Sequence, residues 1–351
     1  MTDPSGEPAE GSDAPSTPLT RADARRGGAD SQTAFQDHVR AARSEFEHQI
    51  DRARADFDKA RADFEQVQDR INARTGRNLL MAILIGVVVG GAVLASLLFI
   101  KWLFLLFAIP VCLLGVFEFS RALQTAGRRV DVVPQVVAGG VIMLAGFFLG
   151  YWTHLVLTFA CVAALITWRL MAQMVARDGR RYSDVLDDVL AAGFVPIYVA
   201  FLASLTLVLL RQDQGEYWLL GMVIAVVAAD TGAYASGLAF GSHPMAPRIS
   251  PKKTWEGFAG GALATVGVAI VYGMFVLHVP WWAGAVFGIV MLGCATVGDL
   301  GESMIKRDLG IKDMSSWLPG HGGVLDRLDS ILPSAAAALA MYFLFFPLVS
   351  V

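Results

Sequence analysis

Acids on both borders of one charged connection are the residues in this chain best placed to do chemistry. The run Gly298-Asp299-Leu300-Gly301-Glu302-Ser303 closes one apolar stretch, and Asp326-Arg327-Leu328-Asp329 opens the next. Between Ser303 and Ser330 lie four basic residues (Lys306, Arg307, Lys312, Arg327) and four acidic ones (Asp308, Asp313, Asp326, Asp329). On a helix, Asp299, either Glu302 or Ser303, and Lys306 share a face, so a metal ion and a phosphate could be held side by side. Asp326 and Asp329 follow at i, i+3. Hard carboxylate oxygens without His or Cys beside them favour Mg²⁺ over Zn²⁺. The turn Pro319-Gly320-His321-Gly322-Gly323 requires glycine, and its backbone N–H groups suit an anion-binding nest. His321 is a single imidazole, which reads as a loop-ordering donor or a phosphate contact and not as a metal set. A plain charged loop would not need acids at both membrane borders.

Two further motifs point the same way. Asp230-Thr231-Gly232-Ala233-Tyr234 sits late in an apolar stretch, and an acid at membrane depth is costly enough to suggest function. Asp230 and Tyr234 lie on one helix face; the bland alternative is a carboxylate paired with a basic loop residue. In Ser250-Pro251-Lys252-Lys253-Thr254, Ser followed by Pro predicts a helix start, capped by Ser250 with Pro251 in the first turn. Lys252 and Lys253 at free backbone N–H groups would then make a polyphosphate site. Topological placement of positive charge explains the lysines, but not the cap, the Pro and the flanking Thr254 together.

The elements that must position these groups are apolar. Of the 351 residues, 55% are AVILMFWYC and 17% are charged, against roughly 25% charged in soluble domains. Nine apolar stretches, near 79–100, 102–119, 132–150, 155–172, 189–210, 217–240, 257–279, 283–300 and 331–350, each approach the roughly 20 residues that span a bilayer. The expected fold is therefore all-α: a polytopic membrane protein with about nine transmembrane helices, preceded by a cytoplasmic helical extension. Connections after the even-numbered stretches carry fourteen Lys and Arg residues, against two after the odd-numbered ones. The N-terminus and the charged motifs are thus expected in the cytoplasm. Cys112, Cys161 and Cys294 lie in apolar runs and read as packing residues.

Ahead of the membrane part, residues 1–32 are rich in Pro, Gly, Ser, Asp and Ala and predict a disordered tail. No cleavable signal peptide is expected there. Residues 33–76 predict a cytoplasmic amphipathic helix of coiled-coil type. Ile50, Phe57, Phe64 and Ile71 form one heptad series, and Val39, Phe46, Ala53, Ala60 and Val67 another. Residues 77–351 form the expected membrane domain.

The pattern Ser303, Lys306-Arg307, Lys312-Asp313, Pro319, His321-Gly322-Gly323, Asp326-Arg327 and Asp329 resembles the signature of the phosphatidate cytidylyltransferase (CDP-diacylglycerol synthase) family. Every fixed position is present at the expected spacing over about 27 residues, and the two upstream motifs are similar to the family as well. The resemblance covers about 79–351 and leaves the N-terminal extension unassigned. It implies the reaction CTP + phosphatidic acid → CDP-diacylglycerol + pyrophosphate. It also implies a homodimer in the cell membrane with divalent-metal dependence, and a K⁺ ion as a candidate second metal. Asp299 and Asp326 are the implied metal ligands, with Glu302 and Asp329 beside them. Lys306 and Arg307, with those two acids, form the expected catalytic set. Expected substrate contacts are Ser250, Lys252, Lys253, Thr254, Asp230, Ser303, Lys312, His321, Gly322, Gly323 and Arg327.

Rival classes are disfavoured by the sequence. A transporter predicts internal repeats with polar helices near the midplane, and no repeat is visible. A CDP-alcohol phosphotransferase predicts a D-G-x-x-A-R…D-x-x-x-D helix, which is absent. Another CTP-dependent transferase with an isoprenoid phosphate as acceptor would share the metal and triphosphate parts, so it remains the nearest alternative. No nucleic-acid partner is expected.

Overall fold

A computed structural model describes residues 90–176, 179–311, 314–315 and 323–349. The tail and the heptad helix, the first half of the 79–100 stretch, Lys312, Pro319, His321 and Gly322 lie outside the described residues. The described chain runs α1 (Gly90–Phe99), α2 (Lys101–Thr125), α3 (Val132–Phe148), α4 (Tyr151–Ala176), α5 (Tyr182–Val195), a π-helical segment (Pro196–Phe201) and α6 (Leu202–Leu210). It continues with α7 (Gly215–Phe240), β1 (Pro244–Ala246), β2 (Ser250–Thr254), α8 (Trp255–Phe275), α9 (Trp281–Asp308), α10 (Leu325–Leu328) and α11 (Ile331–Phe345).

Among the described residues, seven helical segments are long and apolar enough to cross a membrane, which makes this a multi-pass membrane protein. The shorter apolar helices Gly90–Phe99 and Val132–Phe148 occupy the other two predicted stretches. As the shared face of Asp299, Glu302 and Lys306 requires, the helix runs past the end of the apolar stretch near residue 300 to Asp308, so the three ride on one continuous rod.

The fold is not purely helical. Strands β1 and β2 pair antiparallel, with Pro244 opposite Thr254 and Ala246 opposite Ser250. Ser250 therefore does not cap a helix, and Pro251, Lys252 and Lys253 are extended. The cap is Thr254, whose hydroxyl accepts the Gly257 N–H at 3.1 Å, so the helix begins at Trp255. The cap therefore lies four residues later than the sequence predicts. Pairing with 244–246 claims the backbone at Ser250, which leaves Thr254 to start the helix. Pro251 is tolerated because a two-stranded ribbon has only edges.

Close packing brings the motif-bearing helices together. Helices α7 and α8 meet through small residues. A Cβ on Gly261 would stand 2.9 Å from the Ala229 carbonyl oxygen, and one on Gly232 would stand 2.7 Å from Ala264 Cβ. Small faces of this kind let membrane helices approach backbone to backbone. Helix α9 packs on α8 too, and it meets the turn just before α11, where a Cβ on Gly298 would fall 2.2 Å from the Asp329 carbonyl oxygen. Only glycine fits there, and that contact carries Asp329 alongside Glu302.

Part of the positive charge has a structural use. Asp188 is fully buried and accepts from the Arg129 amide at 2.8 Å, Arg169 Nη2 at 3.1 Å and Arg180 Nη1 at 2.5 Å. A buried carboxylate requires such partners, and here they tie the connection after α2, the later part of α4 and the connection before α5 to one residue of α5.

Candidate active site

Helix α9 carries the site in two rows. Ser303 Oγ lies 3.4 Å from Asp299 Oδ1, and Asp299 forms an ion pair with Lys253 of β2. One turn round, Lys306 Nζ lies 2.8 Å from Asp326 Oδ1 and 3.6 Å from Glu302 Oε2. The sequence left Glu302 and Ser303 as alternatives on one face. The structure uses both: Ser303 pairs with Asp299, and Glu302 pairs with Lys306. Arg307 Nε reaches the Ile249 carbonyl at 3.4 Å and ties the end of α9 to the hairpin that bears the lysines.

A cavity of about 450 Å³ opens between α7, β2, α8 and α9. Its polar lining includes Asp230, Tyr234, Lys252, Lys253, Thr254 and Asp299; the remainder is mostly Ala, Gly, Leu and Met. The hairpin thus places both lysines at the cavity wall from an extended strand. No helix N-terminus presents them, and the polyphosphate argument keeps the ammonium groups but loses the dipole contribution.

Asp326 is held on several sides. Besides Lys306, its Oδ2 accepts the Gly323 N–H at 2.8 Å and the Met314 N–H at 3.2 Å. The Gly323 amide, expected in an anion nest, is therefore engaged by the protein's own carboxylate. Asp329 Oδ1 accepts the Ser330 N–H at 2.5 Å. Arg327 sits between the two acids on the short helix α10.

Glu302 is 0% exposed, and neither of its oxygens has a hydrogen-bond donor among the described residues. Asp326 and Asp329 are its electrostatic neighbours, and Asp299 in turn is a neighbour of Asp329 and Asp230. Five carboxylates thus share one region with three lysines: Lys252, Lys253 and Lys306. Among the described residues no three acids converge closely enough to form a ready metal cluster. The donor set nevertheless fits a hard divalent cation. It is all oxygen, it is in excess of its counter-charges, and it includes a buried carboxylate with unfilled lone pairs.

Sequence reasoning missed Glu118. It lies in α2, is 2% exposed, and accepts from Ser315 Oγ at 2.5 Å and the Leu325 N–H at 3.0 Å. The signal was available: an acid inside an apolar stretch is a functional candidate wherever it occurs. It was applied to Asp230 but not to Glu118.

The acids and lysines of β2, α9 and α10 thus lie together in a bundle of apolar helices, beside a cavity. The comparisons with known proteins give the class. Residues 80–345 match the model of the cytidylyltransferase family, and the chain belongs to that family. It is a nucleotidyltransferase. It is 38% identical over 271 residues to a phosphatidate cytidylyltransferase of Mycobacterium bovis, covering 76% of this chain and 89% of the relative. The phosphatidate cytidylyltransferase of Mycobacterium leprae is 37% identical over 287 residues, covering 76% and 88%. A chloroplastic phosphatidate cytidylyltransferase of Arabidopsis thaliana is 28% identical over 323 residues, covering 85% and 79%.

Proposed function

We propose that the protein makes CDP-diacylglycerol and pyrophosphate from CTP and phosphatidic acid for phospholipid synthesis, as the names of its relatives indicate for them. The observation that carries this reading is the pairing of two lysines with two acids about helix α9: Lys253 with Asp299 at the cavity wall, and Lys306 with Asp326 further along the same helix.

The chemistry needs no base. A phosphate oxygen of phosphatidic acid is already anionic and attacks the α-phosphorus of CTP. A new P–O bond forms, the bond to the α–β bridging oxygen breaks, and pyrophosphate leaves with its electron pair. The obstacle is bringing two anions together, so catalysis is charge neutralisation and in-line positioning. Lys252 and Lys253 offer ammonium groups to one phosphate chain from the hairpin, and Lys306 and Arg307 offer theirs from α9. A divalent cation, Mg²⁺ in this reading, would be held by Asp299 and Asp326 with Glu302 and Asp329 beside them, and when bound would polarise the phosphate oxygens and stabilise the leaving group. Ser250, Thr254, Asp230, Ser303, Lys312, His321, Gly322, Gly323 and Arg327 complete the proposed substrate contacts. K⁺ is the candidate second metal.

A lipid acceptor is supported by a second, apolar cavity of about 260 Å³. Leu328, Ile331 and Leu332, on either side of Asp329, form part of its wall. The headgroup would meet the acids while the tails stay in hydrocarbon. In this reading the chain makes nine crossings, places its N-terminus and active site in the cytoplasm, and works as a homodimer in the cell membrane.

Purified protein is incubated in detergent with radiolabelled CTP, Mg²⁺ and either phosphatidic acid or an isoprenoid phosphate. Lipid-extractable label with phosphatidic acid, abolished by a chelator, is the expected result. Label with the isoprenoid phosphate alone moves the acceptor, and no label with either from folded protein overturns the reading.

A further inference from the structure

We propose that Glu118 is a positioning residue for the reaction: it fixes the chain segments that aim Asp326 at Lys306. The inference rests on Asp326 being a site carboxylate.

Glu118 and Asp326 grip the same two short segments from opposite sides. Glu118 takes Ser315 Oγ at 2.5 Å and the Leu325 N–H at 3.0 Å. Asp326 takes the neighbouring amides, Met314 at 3.2 Å and Gly323 at 2.8 Å. Gly323 is confined between them, because a Cβ there would stand 2.8 Å from Glu118 Oε2 and 3.2 Å from Asp326 Oδ2. The partners of Glu118 lie 197 and 207 residues away in sequence, so this bond joins α2 to the motif of the last helix. Leu325 immediately precedes Asp326, and its side chain is fully buried. Its backbone is therefore pinned by packing and by Glu118 together. With the Leu325 amide released, the first turn of α10 is free to shift, and the 2.8 Å contact between Lys306 and Asp326 shifts with it.

Placing an ionised acid in an apolar helix is costly, and hydrophobic residues of similar volume would stabilise a bundle as well or better. Charge-assisted hydrogen bonds hold geometry more firmly than neutral ones, which gives the acid a use in precision. Misplacement by about 1 Å can lower turnover by roughly 100-fold.

The test uses full-length protein in detergent and compares the parent with Glu118→Gln, Ser315→Ala and Asp326→Asn. Gln keeps the shape and removes the charge. Expected for Glu118→Gln is a fall in kcat of about 10- to 100-fold with KM for phosphatidic acid unchanged. Amide hydrogen exchange should quicken at Met314, Ser315 and residues 323–325 and not across the rest of the membrane domain. Parent-like kcat and exchange would overturn the inference. So would faster exchange throughout the membrane domain, which marks a residue of the fold. Should Glu118→Gln fail to fold, Ser315→Ala decides: a smaller fall in kcat with the same local exchange supports positioning, and parent-like behaviour overturns it. Asp326→Asn separates the two layers. If it turns over normally, the site reading fails; if it is inactive while Glu118→Gln is normal, only the positioning inference fails.

Discussion

Lys306 Nζ stands 2.8 Å from Asp326 Oδ1, joining the end of helix α9 to the start of the last membrane helix. The two side chains are 14% and 10% exposed, so the pair is largely withdrawn from water while remaining at the edge of the site. The same ammonium lies 3.6 Å from Glu302, which has no hydrogen-bond donor among the described residues. One cation thus separates two acids.

Lys306→Met leaves Glu302 and Asp326 facing each other without a counter-charge and removes a phosphate contact. Turnover should fall by roughly 100-fold or more, in line with the loss of one preorganised charge donor. Lys306→Arg should recover part of it, because the guanidinium keeps the charge but not the shape. Initial rates at saturating CTP and lipid test both.

Asp299→Asn and Asp326→Asn should each abolish turnover while expression and elution in detergent stay as in the parent. A chelator should do the same to the parent, reversibly on adding Mg²⁺. Near-normal activity in purified Asp326→Asn contradicts the assignment of that residue.

Gly298→Ala places a Cβ 2.2 Å from the Asp329 carbonyl and 2.7 Å from Pro333 Cγ. Backbone must move, and overpacking of this kind costs about 1–3 kcal/mol. Thermal unfolding in detergent should show the loss, and activity should fall with it because Glu302 and Asp329 separate.

Thr254→Ala removes the cap of α8 and should cost about 1 kcal/mol, with Thr254→Ser restoring most of it. If Ser250 were the cap, Ser250→Ala would be the destabilising change and Thr254→Ala the silent one. Unfolding midpoints of the two variants discriminate directly.

Deleting residues 1–70 should leave the rate close to that of the full chain, since no proposed site residue lies there. Loss of activity in a well-folded truncated protein contradicts this.

Much of the site was legible because its chemistry depends on spacing along single helices. Asp299, Ser303, Glu302 and Lys306 are i, i+3 and i+4 neighbours, and α9 pairs them as a helix must. The sequence was less informative wherever a distant partner decides. Ser250-Pro251 has the local character of a helix start, and only the strand at 244–246 makes it extended. Lys253 sits at the site because that hairpin turns it toward Asp299, which no local rule foretells. Glu118 has partners some two hundred residues away, so its spacing carried no pattern, only the oddity of an acid in an apolar run. Asp188 shows the opposite case: arginines counted as topology signals also serve as its buried partners.

The central claim is a transfer of the CMP moiety onto a lipid phosphate at the face formed by Lys253, Asp299, Lys306 and Asp326. The most direct measurement supplies CTP labelled at the α-phosphate in one reaction and at the γ-phosphate in another, with phosphatidic acid and Mg²⁺, and follows each label in parent protein and Asp326→Asn. The account predicts α-label in the lipid phase, an equal amount of γ-label in pyrophosphate, and neither in the variant. γ-label in the lipid, or undiminished transfer in Asp326→Asn, would contradict it.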